Sequence, residues 1–145
     1  MGGVSNPFAH NSLGRVETKS ITYVAGTTGA IATTALFTVT GTIAARVFAV
    51  CTTALESGGV ATIEVGVTGA TASIIALSTA TEIIANEIWL DATPTLLVDT
   101  IPDPKVIPNG LDINQKITDA TITAGVLVYY CMWEPLSSGA NVVAA

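Results

Sequence analysis

The segment VLVYYCMW, Val126 to Trp133, is apolar or aromatic at every position. A β-strand sends successive side chains to opposite sides. Its even set (Val126, Val128, Tyr130, Met132) and its odd set (Leu127, Tyr129, Cys131, Trp133) would therefore both have to leave water. RVFAVC, Arg46 to Cys51, poses the same problem, with Val47, Ala49 and Cys51 at one parity and Phe48 and Val50 at the other. Each sheet of a free-standing sandwich has one dry face and one wet face. A large side chain withdrawn from water contributes about 1.5–3 kcal/mol. Four or five such groups left bare would make a larger patch than most soluble monomers carry. One side of these strands faces the chain's own core, and something must cover the other. A loop, the N-terminal segment or a central place in the fold could do so. The reading favoured here is a subunit interface closed by symmetry, with Tyr129, Cys131 and Trp133 as the interface set.

The rest of the chain reads as short strands separated by turn signals. KSITYV (19–24), TALFTVT (34–40), IAARVFAVCTTAL (43–55) and ASIIALS (72–78) are strand candidates. So are VATIEVGV (60–67), LDINQKIT (111–118) and AGVLVYYCMW (124–133). Twenty-two threonines accompany the valines and isoleucines, and all three types are β-branched and suit a pleated surface. VATIEVGV alternates cleanly, with Ile63 and Val65 on one side and Thr62 and Glu64 on the other, as a half-buried strand should. ESGG (56–59) has the glycines a tight hairpin needs. TATEIIANEIWLD (79–91) fits either a short helix opened by Thr79 and Glu82 or two short strands around Ala85 and Asn86, and the β surroundings favour strands. Pro94, Pro102, Pro104 and Pro108 keep 92–110 out of any central strand. About eight strands at this spacing predict an all-β fold: a single-domain antiparallel β-sandwich or jelly roll. At 145 residues such a chain buries roughly 70% of its unfolded surface.

Residues 1–18 read as an extended N-terminal arm, 19–137 as the β-sandwich domain and 138–145 as a tail without charge. Gly2, Gly3, Asn6, Pro7, Asn11 and Gly14 interrupt any regular pattern in the arm. Its apolar beads include Val4, Phe8 and Leu13. MGGVSNPFAH lacks the basic and apolar regions of a secretory signal, and Asn6 stands where a myristoylation signal wants Ser or Thr.

Charge and chemistry exclude several functions at this stage. The net charge is -6, and the five cations (Arg15, Lys19, Arg46, Lys105, Lys116) are scattered. Nucleic acid and anionic membrane surfaces both ask for clustered cations, so neither is expected as a partner. No stretch reaches the roughly 18 uncharged apolar residues of a spanning helix. His10 is the single histidine and lies in the arm, which removes Ser-His-Asp and Cys-His catalysis. Asp91, Asp99 and Asp103 are close in sequence but read as solvated loop acids. Cys51 and Cys131 fall in strands and read as buried thiols, with one inter-sheet disulfide as the alternative. No metal site, cofactor or enzymatic activity is expected. Trp89, Trp133, Tyr129 and Tyr130 could form a sugar platform, but packing explains them better.

These features together resemble the small structural proteins of tailed-phage virions, above all capsid decoration or cement proteins. The resemblance lies in the irregular arm, the Thr/Ala/Val/Gly-rich strands, EIWLDATPT (87–95), and VYYCMWEPLS (128–137) with its small-residue tail. It is one of texture over most of the chain, without a diagnostic motif. It implies a bacteriophage β-sandwich, often a homotrimer, made in the host cytoplasm and seated on the outer capsid surface between major capsid proteins. Val4, Pro7, Phe8 and Leu13 would be the arm's capsid contacts. The alternative is a carbohydrate-binding β-sandwich of a phage fibre or lectin type, which an exposed Trp89 beside Asp91 and Asp99 would favour.

Overall fold

The computed structural model describes residues 14–96 and 98–145. The strands are β1 (Arg15–Thr22), β2 (Thr33–Thr40), β3 (Ile43–Ser57), β4 (Thr62–Val67), β5 (Ala70–Thr79) and β6 (Glu87–Trp89). They continue with β7 (Thr95–Leu96), β8 (Lys105–Ile107), β9 (Ile113–Thr118), β10 (Ile122–Pro135) and β11 (Asn141–Ala144). One sheet runs β1-β10-β3-β6-β7, with β8 also paired to β3, and the other runs β11-β2-β9-β4-β5. Every pairing is antiparallel. The fold is a single-domain β-sandwich, as the strand pattern predicts.

Alternation along each strand makes the core. Leu36, Phe37, Ile63, Ile75 and Ile113 point inward from the five-stranded sheet, and Ile43, Ala49, Trp89, Leu127 and Tyr129 from the six-stranded one. Two tyrosines carry their hydroxyls into this apolar layer and find an acceptor there. Tyr23 donates to Gln115 Oε1 at 2.7 Å and Tyr129 donates to the same oxygen at 3.0 Å. Burial pushes both phenols above their ordinary range, so both stay neutral donors. The β1 and β11 edges are tied together where the Lys19 ammonium donates to the Ala145 carbonyl.

The elements differ from the sequence reading in three places. Residues 15–18, read as arm, belong to β1, because Arg15, Glu17 and Lys19 alternate with partners along β10. The tail forms β11, where Val142 is buried opposite Val39. Residues 80–82 form one turn of 3-10 helix, with Thr79 at its N-cap and no side-chain cap bond, and only 87–89 of that stretch is strand. The proline-rich stretch, expected as edge strand and long loop, is that: it contributes two short segments, β7 at the end of the sheet and β8 beside β3.

One glycine decides the geometry of β10. Gly125 has φ 116, a region open to glycine and strained for other residues. A Cβ there would lie 2.7 Å from the Ala54 carbonyl oxygen. The β10–β3 register shifts on both sides of it. Before this bulge an even residue, Ile122, points inward; after it the odd residues Leu127, Tyr129, Cys131 and Trp133 do.

Candidate interaction surface

The bulge settles which set of the last long strand faces the core. Tyr129 and Cys131 are fully buried and Trp133 is 5% exposed. The interface expected through these three does not form on the outside of this chain, because their side chains fill its own interior. The outward set is Val126, Val128, Tyr130 and Met132, each half-buried. Val4, Pro7, Phe8 and Leu13, the expected arm contacts, lie outside the described residues.

Register extends the outward set across the sheet. Tyr130 opposes Phe48 on β3 and Val128 opposes Val50. The Phe48 and Tyr130 rings stack at 5.3 Å between centroids, 17° apart. Ile88 on β6 opposes Val50, and Val16 on β1 opposes Met132. Val16 is 52% exposed and Val106, opposite Ala44 on β3, is 65% exposed. The apolar residues thus centre on β10, β3 and β6; on β1 Thr18, Ser20 and Thr22 oppose Tyr130, Val128 and Val126, and Arg46 and Glu134 stand between this centre and β8. Asp99, Thr100 and Ile101 from the long loop line a shallow hollow with Phe48, Ile88 and Leu90, so the loop shelters the β6 end. Among the described residues, no loop lines the centre and the β1 side in this way.

The two cysteines sit on the inward side of the same sheet. Cys51 opposes Leu127 and Cys131 opposes Val47, four residues apart along neighbouring strands, which is far beyond disulfide reach. Both are free thiols, and the inter-sheet disulfide is excluded. Desolvation, with help from Glu87 near Cys51 and Glu17 near Cys131, pushes their thiols up to about 11 and about 12.

Elsewhere the chemistry is sparse. Trp89 is fully buried, and its indole N–H donates to Ser78 Oγ at 2.7 Å. The platform of Trp89 with Asp91 and Asp99 therefore does not exist. Asp91 accepts from the Thr93 N–H and Asp99 from the Thr100 N–H, both at 2.7 Å, so each caps its own loop. Among the described residues no three His, Cys, Asp or Glu side chains gather to hold a metal, and no helix is long and apolar enough to cross a membrane. The signal that would have found the right surface was the glycine in TAGVLV (123–128), which an isolated glycine in a strand pattern often marks as a bulge. No family profile, curated protein or solved structure matches the chain.

Proposed function

We propose that this protein is a non-enzymatic virion structural protein of the capsid-decoration type, which works by burying the outward face of β10 and β3 between subunits. One observation carries the reading. The centre of that face is apolar, with Val126, Val128, Tyr130 and Met132 of β10 beside Phe48 and Val50 of β3, while the outward positions of β2 and β9 are mostly threonine, asparagine and lysine. A contiguous apolar face on a small domain marks an interaction surface. The chain's acidic balance disfavours nucleic acid or anionic lipid as its partner.

We also read the sandwich as a jelly roll. Support comes from the strand order, in which β1-β10-β3-β6 faces β2-β9-β4-β5 and the chain crosses between sheets at seven of its ten connections. Jelly rolls recur in viral capsids and in lectins, so the fold favours a virion without deciding against a glycan. The burial of Trp89 weighs against the glycan reading, because a sugar needs an exposed ring face. In the proposed mechanism the domain self-associates on the outer capsid surface and residues 1–13 engage the major capsid protein.

The test uses expanded capsids of the tailed phage whose genome encodes the chain. Purified protein should co-sediment with them at a fixed copy number and raise their resistance to heat. Deleting residues 1–13 should leave a folded domain that no longer attaches. Failure of the full chain to bind at micromolar concentration overturns the proposal.

A further inference from the structure

The apolar face carries two opposite charges at one end. Arg46 opposes Met132 and Glu134 opposes Ala44, so the two lie on adjacent strands, one diagonal step apart. They make no ion pair with each other: Lys116 with Glu64, at 3.9 Å, is the pair that the described residues form. The Arg46 Nε is buried and meets no acceptor among the described residues. Residues 1–13 contain no Asp or Glu, so the N-terminal segment has no carboxylate side chain to offer it. A guanidinium held this way fits a partner that brings a carboxylate into an apolar contact.

We propose that a second copy of this chain is that partner, docked face to face about a two-fold axis running along the seam between β3 and β10. The inference rests on the assembly reading above and names the occupant of its surface. Rotation about this axis lays β3 over the partner's β10. Phe48 then meets the partner's Tyr130, and Val50 meets the partner's Val128. Arg46 reaches the partner's Glu134 while Glu134 receives the partner's Arg46, the reciprocity that an isologous contact requires. Sheets packed face to face stand about 10 Å apart, a gap that one Arg and one Glu close from opposite sides. A third copy has no place at this face, so a trimer closes through another surface.

The size of the face sets the expected strength. β1 with eight residues, about nine residues each of β10 and β3, and β6 and β8 with three each, at about 3.3 Å per residue and about 4.8 Å between strands, present roughly 500 Å². Two copies would bury on the order of 1,000 Å², the size of a weak, transient interface. The dimer should therefore be reversible, with a dissociation constant in the micromolar range.

Analytical ultracentrifugation of the full chain between about 1 and 100 μM should show monomer passing to dimer. R46E and E134R should each remain monomeric, with a dissociation constant raised at least tenfold. Circular dichroism confirms that each is folded, and the milder R46Q and E134Q, which reverse no charge, should weaken the dimer less. Mixing R46E with E134R should restore a dimer containing one of each, seen by native mass spectrometry. In that mixed pair both cross-contacts again join opposite charges. Pairing within one chain, or docking to a different protein, gives no such rescue. A wild-type protein monomeric throughout, single reversals that dimerise normally, or a mixture that stays monomeric would each overturn the proposal. Capsid binding by a strictly monomeric protein would sink this inference and leave the decoration function standing, whereas a dimer that ignores capsids would do the opposite.

Discussion

On the five-stranded sheet the outward positions include Thr38 and Thr40 of β2, Asn114, Lys116 and Thr118 of β9, and Thr62 and Glu64 of β4. At the centre of the six-stranded sheet the corresponding positions are Val126, Val128 and Tyr130 of β10, Phe48 and Val50 of β3, and Ile88 of β6, with Thr18, Ser20 and Thr22 of β1 on one side and Arg46 and Glu134 at one end. Threonine and valine have nearly the same shape, and both favour the pleated backbone. Strand propensity therefore accounts for neither face's difference from the other. The threonine hydroxyls are used: Thr62 donates to Asp119 Oδ2 at 2.8 Å. The Lys116–Glu64 pair spans β9 and β4 on the same side. The five-stranded face is mostly finished for water, Leu77 and Val143 apart, whereas the β10–β3 centre of the other face is not.

That contrast holds only if the two sets of β10 are assigned correctly, and truncation tests the assignment with the largest effect. Tyr129→Ala removes a fully buried ring and a hydrogen bond to Gln115, and should cost about 3–5 kcal/mol of stability. Its neighbour Tyr130→Ala should cost under about 1.5 kcal/mol and act on self-association instead. Urea midpoints for the two variants decide the matter. A harmless Tyr129→Ala would mean that the inside and outside of this sheet have been exchanged.

The next test strikes the device that sets the assignment. Gly125→Ala places a Cβ 2.5 Å from Leu55 Cδ2, 2.7 Å from the Ala54 oxygen, and in a strained backbone region. Overpacking and strain together should cost about 3 kcal/mol, read as a lowered urea midpoint. Wild-type stability in that variant would show that the bulge is dispensable and the parity set elsewhere.

This glycine also marks the limit of what the amino-acid order reveals. The sandwich was legible because β4 and β9 alternate, and because prolines and glycines punctuate the strands. The need for cover on both sides of β10 and β3 was legible from their composition. Which side was which was not, because both sets of β10 are apolar and a pattern cannot choose between two apolar faces. The choice comes from a register shift near residue 125, a tertiary event that moves one residue out of the ladder. The β11 strand escaped notice for a related reason: NVVA (141–144) is too short to show a period, and it is held by β2 and by the Lys19 contact rather than by its own propensity.

A smaller effect probes the dry side of the six-stranded sheet. The Cys131 thiol is raised from 9.0 to about 12, first by burial and second by Glu17. The unfolded chain therefore loses this proton first as pH rises, and the folded state holds more protons. The stability linked to Cys131 is complete below pH 9 and declines as pH climbs towards about 12. The slope is at most about 1.4 kcal/mol per pH unit. Cys51, Tyr23 and Tyr129 shift in the same direction, so the whole core should be labile to alkali. Urea unfolding at pH 8 and pH 10.5 should show the loss, and Cys131→Ala should reduce it while Cys51 still contributes. A pH-independent midpoint would mean that water reaches this side of the sheet.

The smallest changes bear most directly on the contrast between the outward faces, because they exchange one methyl for one hydroxyl. Thr38→Val alters an exposed position on the threonine face. It should change stability by no more than about 0.5 kcal/mol and leave the oligomeric mass alone. Val128→Thr makes the reverse exchange on the apolar face, where the side chain is half-buried in a single copy. Its effect on the isolated domain should be equally slight, since the backbone preference is kept. In an assembly, however, the new hydroxyl would enter an apolar contact with no partner and would carry that penalty once for every copy buried. Self-association should weaken by about tenfold while the unfolding midpoint barely moves. If both exchanges prove silent in sedimentation, the two faces are equivalent in solution, and the apolar one serves no contact between copies.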